Sequence, residues 1–187
     1  MQNLRTQLAA MSRDRVCVMG LGNEEYGDDG LGVALAREFG RERPASSESG
    51  LEAVPAVATE FASAGAPVVI IAGTAPERWL SRLSDGEFDH VIFLDAVEFG
   101  GEPGSAILIE GEEIAARFPQ VSTHKLSLGL LARLVESRGA RAWLLGVQPG
   151  SLRASPTLSS SVRATLEILK RLLAGIWFPL QAPAGAC

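Results

Sequence analysis

Five short runs of consecutive apolar residues punctuate this chain, at 16–19, 68–71, 91–94, 106–109 and 143–145. Each has the length of a strand, is dominated by aliphatic residues, and lacks the apolar–polar alternation of a sheet with one wet face. Both faces of such a sheet are therefore covered. Between the runs, apolar positions recur at helical spacing near 31–39, 76–83, 126–136 and 158–173. In the last of these, Val162, Leu166, Leu169 and Leu173 fall on one stripe. Strands alternating with helices predict a single three-layer α/β domain: a twisted, mostly parallel five-stranded sheet with helices on both faces. The Glu102-Pro103-Gly104 turn ahead of the fourth run predicts a strand of different direction.

Three segments stand outside this alternation within the domain of residues 1–187. Residues 1–14 read as an N-terminal extension, a short helix or a frayed end. Residues 41–67, rich in Ala, Ser, Glu and Pro, are too long for an ordinary helix–strand connection and form a long loop or an inserted helix. The tail 178–187 carries no pattern and is expected to be unstructured.

Composition narrows the function. At 187 residues, with 47% hydrophobic and 21% charged, the chain is long enough and apolar enough to build its own core. A net charge of −5 without clustered Lys or Arg argues against nucleic acid. No apolar run approaches the ~20 residues of a membrane span. The first residues lack the apolar core of a signal peptide. Cys17 lies in the first strand and Cys187 ends the chain, so neither a disulfide framework nor a zinc pair is built from them, and the cytoplasm is the expected compartment.

The segment 16–33 holds the densest chemistry: an apolar run, then Gly20-Leu-Gly-Asn23, then Asp28-Asp29-Gly30 as a helical pattern begins. Two adjacent carboxylates at a helix start face the positive end of its dipole, a place suited to a cation or a substrate. A dinucleotide site is excluded by spacing, because Glu25 occupies the position of the third glycine of Gly-x-Gly-x-x-Gly. Glu24, Glu25, Asp28 and Asp29 would also repel a pyrophosphate.

Ligands of open α/β sheets bind beyond the carboxyl ends of the strands. Asn23, Asp28 and Asp29 follow the first run, and Gly73, Thr74 and Glu77 the second. The third ends in Asp95. A short connection after the fourth leads to Ser122-Thr123-His124 at a helix start, and Gly146-Val-Gln148-Pro149 follows the fifth. Carboxylate, carboxylate and imidazole thus converge on one rim and suit a borderline divalent metal such as Ni²⁺ or Zn²⁺. Structural roles compete for each. Asp28 is better suited to capping its helix than to ligation; Asp95 has an alternative in a turn at Ala96, although a carboxylate that closes an apolar strand wants a partner, and His124 has one in a hydrogen bond at a helix start. His90 precedes the third strand, at the opposite edge, and is read as structural or solvated. No Gly-x-Ser-x-Gly elbow supports a serine hydrolase, and neither cysteine is placed for a thiol protease.

Taken in order, Gly-Leu-Gly-Asn through Asp-Asp-Gly, Gly73-Thr-Ala-Pro-Glu77, Leu94-Asp95-Ala96, Pro103-Gly104, Thr123-His124 and Gly146-Val-Gln-Pro149 resemble the [NiFe]-hydrogenase maturation proteases. The resemblance is nearest to the branch acting on large subunits of the formate-hydrogenlyase type. It spans about residues 16–173. It implies an endopeptidase, aspartic-type by its carboxylates, that removes a C-terminal extension from the hydrogenase large-subunit precursor after nickel insertion. It implies Asp29, Asp95 and His124 as metal-binding and catalytic residues. The nickel would be supplied by the substrate, with zinc an alternative in vitro. Asn23, Gly73, Thr74 and Gln148 fall where substrate would be held, and Asp28 or Glu25 is available as a general base. Ile71 departs from the family, standing where a carboxylate opens the turn after the second strand. A competing reading keeps the same rim as a non-catalytic checkpoint that binds the nickel-loaded precursor. Gly-Leu-Gly-Asn alone also resembles peptidyl-tRNA hydrolases, but the acidic loop that follows would repel tRNA.

Overall fold

The computed structural model describes residues 3–41, 66–83, 87–118 and 127–178. Strands β1 (Val16–Leu21), β2 (Val68–Gly73), β3 (His90–Ala96), β4 (Ala106–Glu110) and β5 (Arg141–Val147) form one sheet in the order β2-β1-β3-β5-β4. All pairs are parallel except β4–β5. The reversal comes from the turn at Pro103-Gly104, where Gly104 takes φ 88° and its N–H donates to the Gln148 carbonyl. Every strand outlasts its apolar run, because ladder pairing continues through residues that interrupt the run, such as Gly20 in β1 and Asp95 and Gly146 in β3 and β5.

Helices α1 (Leu4–Met11), α2 (Leu31–Arg41), α3 (Leu80–Leu83), α4 (Gly111–Arg117), α5 (Leu128–Glu136) and α6 (Ser160–Trp177) cover the sheet. Side chains alternate across each strand. Val16, Val18, Ile92, Leu94 and Leu145 therefore meet Leu8, Leu35, Phe39, Val162 and Leu166, from α1, α2 and α6. Cys17, Met19, Val91, Phe93 and Leu144 meet Leu83, Ile114, Leu131 and Val135, from α3, α4 and α5. Burial on both faces is why β1 and β3 read as unbroken apolar runs.

The structure amends the element predictions in several places. Residues 4–11 form a docked helix: Asn3 accepts the Arg5 N–H at 2.7 Å, and Leu8 and Met11 are buried. The predicted helix over 76–83 is a 3₁₀ turn, Pro76–Trp79, followed by the single turn α3. α4 was not anticipated, since only Ile114 and the N-terminal Gly111 are buried and so short a helix shows no periodicity. The segments 41–67 and 178–187 fall almost wholly outside the described residues. Among the described residues no helix is long and apolar enough to cross a membrane.

Candidate active site

β1 and β3 are neighbours in register, Met19 beside Phe93 and Gly20 beside Leu94, so Asp95 stands level with Leu21 at the end of β1. Past β1 the chain passes through a 3₁₀ turn, Gly27–Gly30, directly into α2, and this turn packs against β3. α2 approaches both strand ends closely enough that a Cβ on Gly32 would overlap the carbonyl oxygens of Leu21 and Leu94. Asp29 and Asp95 are thereby brought to one rim, and they are only 4% and 1% exposed.

Each carboxylate is held by the backbone of its own loop. Asp29 Oδ2 accepts the Asn23 N–H at 2.8 Å. Gly22 makes that fold-back possible: it takes φ 114°, and a Cβ there would overlap the Asp29 carbonyl. Asp95 Oδ1 accepts the Ala96 N–H at 2.9 Å, the local turn expected of it. By the alternation of β3, Asp95 shares the face of Phe93 and Val97, which α5 covers.

His124, with Ser122 and Thr123, lies outside the described residues. The chain returns at Ser127, which caps α5 by accepting the Leu130 N–H. α5 ends at Glu136 and leads into β5 at the edge opposite Asp95, so the first turn of α5 is directed toward the rim that holds the carboxylates. The strand-end reasoning for His124 needs one correction. β4 is antiparallel, so its C-terminus lies at the far edge, and the connection contains α4 instead of being short.

Asp28 has a different role from the one expected. It does not cap the helix that follows it. Its fully buried carboxylate takes the N–H groups of Gly150 and Ser151 on Oδ2 at 2.8 and 2.9 Å, and the Ser159 N–H on Oδ1 at 2.6 Å. The Ser159 hydroxyl adds a fourth bond to Oδ2 at 2.8 Å. Ser159 is the residue ahead of α6, so Asp28 ties the first loop to the start of the last helix. Burial pushes its pKa up, but the Ser159, Ser151 and Gly150 hydrogen bonds outweigh it and leave the carboxyl below its ordinary value. A carboxylate so occupied is not a general base. Spacing could not reveal this latch, whose partners are more than a hundred residues away. The only local signal was the serine run that marks the N-cap of α6.

A family profile described as "Hydrogenase maturation protease" matches residues 52–175. The chain belongs to this family. The hydrogenase 3 maturation protease of Escherichia coli is 26% identical over 155 residues, covering 83% of this chain and 86% of that protein. A putative hydrogenase maturation protease of Methanocaldococcus jannaschii is 26% identical over 164 residues, covering 85% and 86%. The crystal structure of a [NiFe] hydrogenase maturation protease from Thermococcus kodakarensis superposes with a TM-score of 0.70 at 26% identity, covering 92% of this chain and 98% of that one.

In this maturation protease the remaining sequence-selected residues divide between backbone roles and open positions. Asn23 Oδ1 accepts the Glu25 N–H at 3.0 Å, forming the turn that presents its own N–H to Asp29. Gly73, at φ 58°, accepts the Gly22 N–H on its carbonyl and so joins the loops beyond β1 and β2. Thr74 beside it is exposed. Gln148 Oε1 accepts three backbone N–H groups, from Phe99, Gly100 and Gly101, which fixes the loop leaving β3. Ile71 is half-buried against the core on the α2 side of the sheet. Glu24 is held by both terminal nitrogens of Arg37, while Glu25 is exposed.

The opposite edge of the protease is structural. His90 is buried there. Its Nδ1 accepts the Trp143 indole N–H at 3.1 Å, which leaves Nε2 to donate to Asp14 Oδ2 at 3.1 Å. A hollow of about 530 Å³ near that edge is lined by Gln7, Leu108, Ile109, Glu110, Glu112 and Glu113. Two of its acids are already paired, Glu110 with Arg141 and Glu113 with Arg117, and it lies away from Asp29 and Asp95.

Proposed function

We propose that this protease is an endopeptidase that removes the C-terminal extension of a [NiFe]-hydrogenase large-subunit precursor, and that Asp29, Asp95 and His124 read the nickel carried by that substrate. The observation that supports it most is that two nearly buried carboxylates, Asp95 near the end of β3 and Asp29 in the turn that follows β1, stand beyond the carboxyl ends of adjacent parallel strands. Two carboxylates facing one rim are oxygen donors that a single divalent ion can take together. Asp95 lies on the sheet face covered by α5, whose N-cap follows His124 by three residues. Imidazole beside two carboxylates selects nickel or zinc over magnesium or calcium.

With nickel between these side chains, its Lewis acidity would polarise the scissile carbonyl or acidify an attacking water. The protein's own part is positional. Asn23 fixes Asp29, the Ala96 N–H fixes Asp95, and Gln148 shapes the loop beside them. Glu25 remains the exposed candidate for accepting a proton. Mass spectrometry of the nickel-loaded precursor after incubation with the protease tests the reading. Wild type and His90→Ala should both release the extension, whereas Asp29→Ala, Asp95→Ala and His124→Ala should release none while keeping a folded circular-dichroism spectrum. Double variants should be no worse than singles, because the three act as one unit. Wild-type protein that binds the precursor but never shortens it would make the rim a checkpoint; normal cleavage by a folded His124→Ala would remove the trio from the mechanism.

A further inference from the structure

Gln148 is 9% exposed, and its side-chain amide has one occupied end and one open end. The oxygen accepts the N–H groups of Phe99, Gly100 and Gly101 at 2.9, 3.0 and 3.1 Å. Gly100, at φ 81°, turns the backbone so that these three successive N–H groups converge. Three donors can meet only on the carbonyl oxygen of the amide, so its NH₂ points away from them in a fixed direction. Among the described residues those three are the hydrogen bonds of the side chain, and the NH₂ donates none of them.

The register sets this amide beside the rim carboxylates. Asp95 pairs with Gly146 across β3 and β5, and Gln148 stands two residues further along, roughly 7 Å at the rise of a strand. The extended course persists to that point, because the Gln148 N–H and carbonyl still pair with Ser105 and Gly104 ahead of β4. Alternation returns Gln148 to the face of Leu144 and Gly146, which Asp95 shares with Phe93 and Val97. Buried donors left unpaired are costly, and the loop anchor keeps this amide from swinging out to water. The position is therefore completed by an acceptor that arrives with a ligand. Asp29 and Asp95 make the rim acidic, which disfavours an anion there and favours a neutral carbonyl.

We infer that the Gln148 NH₂ donates to a main-chain carbonyl of the precursor beside the bond that is cut, holding that segment in line with Asp29 and Asp95. The inference rests on the proposed function, since the ligand is the polypeptide that is cleaved. One amide then serves two tasks: its oxygen fixes the loop leaving β3, and its nitrogen grips the substrate. The donor is fixed before the substrate arrives, so little side-chain entropy is lost on binding. Replacement by Glu separates the two tasks. A carboxylate still accepts the three N–H groups, and a charged acceptor holds them more strongly. It also presents an oxygen to the substrate carbonyl where the NH₂ stood.

The test uses full-length protein and the nickel-loaded precursor, reading melting and binding by calorimetry and cleavage by mass spectrometry. Gln148→Glu should melt no lower than about 2 °C below wild type, yet cleave with kcat/KM about a hundredfold lower. Its added negative charge would strengthen the capture of nickel, so lost cleavage reports the missing donor. Gln148→Met should lose both tasks, cleaving as poorly as Gln148→Glu and melting several degrees lower. A folded Gln148→Glu protein with wild-type kcat/KM would overturn the grip while leaving the proposed function standing. Gln148→Glu melting as low as Gln148→Met would also overturn it, because the loop would then not rest on the side-chain oxygen. Wild-type protein that binds the precursor without cleaving it would sink the proteolytic reading and leave the grip to be judged on the Kd of Gln148→Glu. No binding by wild type would sink both.

Discussion

Adjacent identical residues can carry unrelated tasks, and Asp28 and Asp29 divide theirs by what each carboxylate reaches. Asp29 takes one N–H from its own loop, whereas Asp28 takes bonds from Gly150, Ser151 and Ser159. Asp28→Asn keeps the shape but turns an amide NH₂ toward N–H groups. It should cost about 2–4 kcal/mol in a urea melt at neutral pH. The pH dependence follows from the direction of the shift. The folded pKa lies below the ordinary 3.8, so the stabilisation is complete above roughly pH 4 and is lost as pH falls through the lower, folded value. Asp89 adds to the same acid loss, because hydrogen bonds from the Arg15 guanidinium and backbone lower its carboxyl to about 2, though its solvent exposure keeps that contribution small. Asp28→Asn should therefore flatten the fall in melting temperature between pH 4 and pH 2, and a slope equal to wild type would refute the latch. The acidic doublet was legible in the sequence. Its division of labour was not, because Asp28's partners lie beyond a hundred intervening residues.

Among the elements, α2 carries the most geometric constraint, since it sits directly on the ends of β1 and β3, where Asp95 closes β3 and the turn carrying Asp29 enters the helix. Gly32 is the contact point: a methyl there would overlap both Leu21 O and Leu94 O, and backbone cannot swing aside as a side chain can. Gly32→Ala should cost about 3 kcal/mol by overpacking, more than its gain in helix propensity of about 1 kcal/mol. If the variant folds, it should cleave poorly, because the helix must retreat from the rim. Guanidinium denaturation together with the precursor assay checks this, and a variant as stable and active as wild type would show that the contact is slack. The strands were all visible as apolar runs; burial on both faces demands this of β1 and β3, while the edge strand β4 keeps its run with Ala106 and Glu110 exposed. α4 was invisible for the opposite reason: few of its side chains are buried, so its place comes from packing on α5.

For the molecule as a whole, residues 3–12 belong to the fold. α1 seats Leu8 and Met11, 0% and 3% exposed, in the cluster shared with α2 and α6. Deleting residues 1–12 should expose that surface and remove about 3 kcal/mol or more of apolar burial. For a chain of this size the melting temperature should drop by roughly 6–12 °C. An unchanged scanning-calorimetry trace would mean that α1 is an ornament.

The sequence by itself determined the layer order of the chain, its strands, the turn that reverses β4, and the rim residues Asp29 and Asp95. These follow from local chemistry: apolar runs need burial, a Pro-Gly pair sets a turn, and a carboxylate that closes an apolar strand has only its rim to face. The tertiary structure alone decided which strands are neighbours, that the end of β4 lies at the far edge, and that Asp28 and Gln148 spend their oxygens on distant backbone. Those outcomes depend on which segments meet in space. Hydrogen-bond donors with no partner in their own loop must find one wherever the packed core has brought another loop alongside.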